Sequence, residues 1–511
     1  MLSARSKYSF DVFVGCLGAT KTNKVNHRRR SWVYCLGEYR SWMYDKNVND
    51  QMLVEAAEAT LRANDKGNWT LPTSITLYPH QWLWDSFFHA IGQRHYDIER
   101  AKAEVRSPFR AQWKNGLVPH IIFSDAAGYH AGPELWRSSK SSTDAPQTIE
   151  TTGITQPPLA AEATVRIGEM LAPKARMEWY QEMYPKILAW HQMLYRERNP
   201  REDGLVRLIL SWESGMDNSP PLMEMLHTYA MSRRVQLMKS TGLDHWAERR
   251  RRDTRDVPAN ERISTLDLHA IYDLIRSMRR KHYDYRKIIP SHKFQVIDLA
   301  FNCILIRANE HLKTMADYVG QTLPDDITHA MRVAPHALET LWDDATGYYY
   351  SRDAMSGKLI KMPGIATFMP LYATSLPEVR VSALLAHLHD PSKFAAKYPV
   401  PSAPLDSSYF KPHCYWQGPS WVNTNWLLID GLERNGCAQE ATRLRRSTIE
   451  LIRQAAPQHG FHEYYSPIDG SVAGAPDFSW TAALTIDLVA QEQAATRVRH
   501  RNLNKNLQYS R

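Results

Sequence analysis

Apolar residues recur at i, i+3, i+4 and i+7 through most of the chain, the period of a helix with one buried face. This predicts helices over 50–65, 157–172, 176–198, 294–320, 327–342, 378–388, 420–436, 438–454 and 479–493. Strand-like patterning is scarce. Its clearest instance is "LWDDATGYYYSRDAMSGKLIKMP" at 341–363, where Tyr-rich or alternating runs joined by Gly-bearing turns predict a small hairpin. Several helical segments are apolar on more than one side, and long Gly- and Pro-bearing loops join them. The pattern predicts an all-α chain of nested helical hairpins, met by a toroid of paired helices with function carried on long loops at one rim. There is no internal repeat of fixed period.

Residues 1–45 have no sustained period and read as a poorly ordered extension. The expected division is then a catalytic domain over 46–493, carrying a basic and weakly periodic insertion at about 248–292 that could lie over the rim, and a basic disordered tail at 494–511. A hydrophobic content of 43% and a charged content of 23% suit a globular protein with a sizeable core. No apolar run approaches the roughly 18 residues of a membrane helix. "YSFDVFVGCLGATK" carries Asp11 within its apolar stretch, which argues against a secretory signal. The five cysteines are scattered without a CxxC pair, so a reducing, cytoplasmic setting is expected instead of a disulfide framework or structural zinc site.

The formal charge of +9 raises the question of a nucleic-acid partner. More than the whole excess lies in Arg28–Arg30, the 248–255 run, Arg279–Lys281 and the tail after residue 496, so solvated appendages explain it and no nucleic acid or membrane partner is expected. Aromatic usage is more informative: Trp 16 and Tyr 25 outnumber Phe 13. Rings with a polar tip suit half-wet clefts that bind polar ligands such as sugars.

Four stretches concentrate rings with acids or amides: 76–92, 210–221 ("LSWESGMDNSPP"), 414–426 and 460–470. Pro79 and Pro419 precede helical patterns, which places two of these stretches at helix entrances facing a rim. GxGxxG, GxxxxGK[ST] and GxSxG are all missing. His459 and His462 have metal-like spacing but no third ligand nearby, and Asp343–Asp344 opens a turn and not a DxxD sequence. Carboxylates remain. Glycosidic cleavage needs one acid at the leaving oxygen and a second carboxylate across the sugar. Asp217, Glu463, Glu213 and Asp85 are all candidates, and residue chemistry alone does not rank them.

In order along the chain, "YPHQWLWDSFFHAIG", "QPP" at 156–158, "WESGMDNSP", "YWQGPSWVNTNWLL" and "FHEYYSPIDG…FSWTAAL" resemble glycoside hydrolase family 63 and its short relatives, the mannosylglycerate and glucosylglycerate hydrolases. The resemblance spans about residues 46–493. It implies an (α/α)6 barrel and an inverting α-glycosidase for a small substrate, with no metal or other cofactor. Asp217 would be the general acid, Glu463 the general base and Glu213 a supporting residue, the two catalytic carboxyls standing roughly 6.5–9.5 Å apart to admit water. Matching positions imply a sugar pocket from Tyr78, Trp82, Trp84, Asp85, Gln156, Trp212, Tyr415, Trp416, Gly418 and Trp421. "SPP" at 219–221 departs from the family pattern, and 248–292 falls where the short relatives grip the glycerate carboxylate, so Arg279, Arg280, Lys281 and Tyr285 are candidates for an anionic leaving group. Only about 45 residues precede the expected barrel, which favours the small-substrate branch. The alternatives are an oligosaccharide α-glucosidase of the mannosyl-oligosaccharide glucosidase type and a non-catalytic sugar-binding relative. Nothing in the sequence sets the oligomeric state.

Overall fold

A computed structural model describes residues 48–126, 129–243 and 257–509, together with Glu248, Arg251 and Thr254; side chains are described as far as Arg497. The first 45 residues, with the Arg28–Arg30 run, lie outside the described residues. The unit spanning Lys46–Arg511 is mostly helical with a few two-residue strand pairs. No described helix is long and apolar enough to cross a membrane.

Its main helices are α1 (Asp50–Ala63), α2 (Leu83–Gln93), α3 (Ile98–Phe109), α4 (Ala160–Glu169), α5 (Pro173–Arg198), α6 (Thr265–Arg280), α7 (Leu299–Val319), α8 (Asp325–Glu339), α9 (Met369–Ala373), α10 (Glu378–Leu388), α11 (Val422–Arg434), α12 (Ala438–His459) and α13 (Ser479–Tyr509). Two kinds can be told apart by burial. All eleven residues of α2 are buried, as is nearly all of α11, whereas α1 buries only Leu53, Ala56, Ala57, Thr60 and Leu61, the single stripe of an amphipathic helix. The buried helices pack in succession: α2 on α4, α4 on α7, α7 on α9, α9 on α11, α11 on α13, and α13 back on α2. The amphipathic helices cover them, α3 on α2, α5 on α4 and α7, α12 on α11 and α13, and α1 on α13.

Between the buried helices, charged and polar side chains pair with one another. Glu162 of α4 accepts from Arg166 and from the Tyr372 hydroxyl of α9 at 2.7 Å, and lies 2.7 Å from the His311 ring of α7. Arg166 also pairs with Asp430 of α11 at 2.6 Å and lies over Trp426, whose indole N–H reaches Asp487 of α13 at 2.7 Å. Arg94, at the end of α2, closes the cluster on Asp487 at 2.7 Å. Buried charges are tolerated only when paired in this way. The N-termini of α2 and α11 carry two of the aromatic and polar stretches singled out above, 76–92 and 414–426.

The expected hairpin forms, with Trp342–Asp343 antiparallel to Tyr348–Tyr349 and Arg352–Asp353 paired to Val296–Ile297. Asp343 and Asp344 sit in it, bound to Lys361 and Arg380. Two expectations change. The 248–292 stretch, expected to be weakly periodic, holds an amphipathic helix: α6 buries Leu268, Ile271, Leu274, Ile275 and Met278 behind an N-cap, Ser264, which accepts from the Asp267 amide. That stripe was masked in the sequence by its basic flanks. The chain beyond 493 continues α13 to Tyr509, as its Ala, Arg and Gln content favours.

Candidate active site

The site is built first on the N-terminus of α2. Gln81–Trp82 pair antiparallel with Ile121–Ile122, which brings the His120 carbonyl to the Leu83 amide at 3.0 Å, and the Gln156 side-chain oxygen accepts from the Trp84 amide at 3.4 Å. Two of the amides that a helix start leaves unpaired are thereby satisfied. Asp85 sits in that first turn, 4% exposed, its carboxyl held well above the ordinary range, chiefly by burial and further by the charges of Glu463 and Asp217.

"LSWESGMDNS" packs against this helix end. Ser211–Ser214 form a 3-10 turn, and Gly215 follows at φ +73° with its Cα so close that a Cβ there would lie 2.6 Å from Trp84 Cζ2. Glycine alone meets both the left-handed backbone and the indole. Gly215→Ala is therefore expected to lower unfolding stability by about 1–3 kcal/mol through overpacking and strain, read by denaturant titration; a neutral result would mean that Trp84 moves freely.

Glu213 points away from this surface. Its carboxylate takes both Arg198 nitrogens, at 2.7 and 3.2 Å, and the amides of Ile209 at 2.7 Å and Thr155 at 3.5 Å. The guanidinium in turn stacks over Tyr285, 3.9 Å from the ring centroid, and the Tyr285 hydroxyl donates to the Gly153 carbonyl at 2.8 Å. One buried ion pair thus ties the end of α5, the 153–156 segment with Gln156, the 209–214 loop and the segment after α6.

Glu463 lies beside the strand pair Tyr464–Tyr465 with Val472–Ala473. Its Oε2 accepts from the Ala475 amide at 3.0 Å and its Oε1 from the Tyr78 hydroxyl at 2.8 Å, while Arg262 donates to that same hydroxyl at 2.8 Å. Arg262 also stacks over Tyr415, 4.7 Å from the centroid, and Tyr415 itself is held at φ +42°, a strained backbone for a non-glycine residue. Burial raises the Glu463 carboxyl above its usual range, and Arg262 opposes that rise. Asp217 is pushed up to about 7, chiefly by burial; Arg262 and the Tyr415 hydroxyl pull it down and the Glu463 charge pushes it up.

These groups surround one cavity of about 60 Å³. Of the residues singled out in the sequence, Tyr78, Trp82, Trp84, Asp85, Gln156, Trp212, Asp217, Tyr415 and Glu463 line it. Glu213, Trp416, Gly418 and Trp421 do not. Trp416 and Trp421 stack flat on each other at 3.7 Å behind the wall, Trp416 at 6.3 Å from Trp84, and the Trp416 amide donates to Asn218 at 2.8 Å, fixing the residue next to Asp217. Gly418 donates to Ser402 and approaches the Lys411 carbonyl.

No motif or spacing points to His120, Tyr129, His130, Arg262, Ile263 or Leu268, all of which line the cavity, and Phe478 and Trp480 enter the sequence reading only within the motif "FSWTAAL". Burial drives the His120 ring down to about 3, so it stands neutral in the wall. Of the residues expected at an anionic leaving group, Arg279 reaches the Leu135 carbonyl at 2.8 Å, Lys281 bonds Ser291 and Tyr285 lies under Arg198; none of these nor Arg280 lines the cavity, whereas Arg262 does.

Two carboxyls raised by burial to different extents, in a cavity walled by rings and served by a guanidinium, can give a proton to one part of a polar ligand and take one from another. A profile of the Mannosylglycerate hydrolase MGH1-like glycoside hydrolase domain matches residues 78–481. The mannosylglycerate hydrolase of Rubrobacter radiotolerans is 35% identical over 86% of this chain and 97% of its own. The glucosylglycerate hydrolase of Mycolicibacterium hassiacum is 32% identical over 87% and 99%. The crystal structure of the GH63 mannosylglycerate hydrolase from Thermus thermophilus in complex with Tris and D-glycerate superposes with a TM-score of 0.76, 34% identity, and coverage of 85% of this chain and 99% of that one.

Proposed function

Because the chain belongs to the mannosylglycerate hydrolase-like glycoside hydrolases of family 63, we propose that it hydrolyses the α-glycosidic bond of a mannosyl- or glucosylglycerate with inversion at the anomeric carbon. Asp217 acts as the acid and Glu463 as the base. A water held by Glu463 attacks the anomeric carbon from the face opposite the leaving oxygen; its proton passes to Glu463, the C–O bond breaks, and Asp217 protonates the departing glycerate oxygen. Free hexose of inverted configuration and glycerate leave, and solvent returns the proton from Glu463 to Asp217. Asp85 and Gln156 accept and donate to sugar hydroxyls while Trp82, Trp84 and Trp212 exclude water and strengthen those contacts. The observation that carries the reading is that Asp217 and Glu463, both raised by burial, share one cavity with the Arg262 guanidinium.

The same premise supports reading residues 46–493 as one catalytic domain, its six successively packed inner helices and their covering helices as an (α/α)6 barrel, with the 248–292 stretch inserted in it. The free thiols of Cys303, Cys414 and Cys437 suit a cytoplasmic setting.

The test is incubation with both glycerate glycosides, the first-formed anomer being read by NMR; retention of configuration, or no turnover of either, defeats the proposal. Arg262 is assigned to the glycerate carboxylate. Arg262→Ala is expected to lower kcat/KM for the glycerate glycosides about 10- to 150-fold, the worth of a charge-assisted hydrogen bond. It should cost much less on the matching glycerol glycoside, and an equal loss on both would remove the carboxylate assignment.

A further inference from the structure

Beyond Arg262 and Ile263, which line both spaces, lies a cleft of about 920 Å³, far larger than the catalytic cavity and within the size range that holds ligands of several rings. Its position relative to the carboxyls fixes its side. Asn218, the neighbour of Asp217, lines the cleft, with its side chain fixed by the Trp416 amide and its carbonyl by the Gln417 amide at 3.0 Å. In an inverting hydrolysis the acid stands on the side of the leaving group and the base on the side of the water. The cleft therefore continues the leaving-group side. A three-carbon acid would fill little of it.

Its wall is that of a sugar site with an anionic end. The ring of Tyr409 and the amide of Asn260 stand beside apolar Ile263 and Leu266, and Lys411 at the rim has no carboxylate partner among the described residues. Of the acids on the wall, Asp267 is paired with His227 at 2.8 Å and Glu248 is also engaged. We propose that this cleft is a second leaving-group subsite, so that the chain cleaves α-hexosides whose leaving group carries a further sugar and a carboxylate, the sugar against Tyr409 and Asn260 and the carboxylate at Lys411. The proposal rests on the assignment of Asp217 as the acid.

Two substrates test it with the full chain: the α-hexosylglycerate, and the same hexose α-linked to a glucosylglycerate. Wild type is expected to show a kcat/KM at least tenfold higher on the longer substrate. Lys411→Gln and Tyr409→Ala should each lower kcat/KM on the longer substrate about tenfold while leaving the shorter one unchanged. Turnover of the longer substrate alone would support the subsite in its strongest form. Equal or better turnover of the shorter substrate, or losses in both variants that fall alike on the two substrates, would overturn the subsite and leave the glycerate reading standing. Turnover of neither would overturn the glycerate reading itself.

Discussion

Asp217→Asn and Glu463→Gln each lower kcat/KM on the glycerate glycosides about a thousandfold, since the loss of a positioned acid or base costs roughly 10²–10⁴. The two variants should separate on a substrate whose leaving group needs no proton. On an α-glycosyl fluoride Asp217→Asn should recover much of its rate and Glu463→Gln should not. The pH profile gives the same division. Asp217 must keep its proton to act, and its carboxyl titrates at about 7, so wild-type kcat/KM should fall as pH rises through about 7. Glu463 must be ionised, and burial raises its carboxyl, so the acid limb should lie above the range of an ordinary glutamate. On the fluoride, Asp217→Asn should lose the alkaline limb alone. Wild-type rates in either variant, or an alkaline limb that survives Asp217→Asn, would remove these residues from their roles.

The second large effect falls on stability. Arg198→Met leaves the Glu213 carboxylate buried without its cation, and removing one partner of a buried pair costs about 3–5 kcal/mol. Unfolding in urea should show the loss directly. The double variant Arg198→Met, Glu213→Leu should regain much of that stability, because two apolar side chains can replace a buried pair. It should not regain activity: the amides of Ile209 and Thr155 lose their acceptor, and with it the 209–217 loop loses the anchor that sets Trp212 and Asp217 against α2. A double variant as active as wild type would mean that the loop is placed by packing alone.

The helical character of the chain was legible because burial repeats with the helix period, and the buried helices were recognisable by being apolar on several sides. Nine of the residues marked in the sequence meet at one cavity because those stretches lie at helix N-termini and in the loops beside them. What could not be read is layering. Trp416 and Trp421 share the composition and spacing of a sugar platform, yet their indoles stack on each other behind Trp84 and Tyr415, and only the tertiary position of the 414–421 loop decides which ring faces the cavity. His120 is placed by a two-residue strand pair too short to have a pattern. Arg262 was hidden among the many cations of its segment, and its selection depends on the docking of the residues just before α6.

The helix that begins the described part of the chain and the helix that ends it, α1 and α13, pack on each other, and α13 also covers α2. During synthesis the apolar stripe of α1 and the wholly buried α2 emerge long before α13, on which both pack. Contacts this distant in sequence form slowly and leave early surfaces open to association. A nascent chain halted before residue 479 would therefore present sticky helices and no working site, which makes enzyme activity a report that synthesis has passed α13.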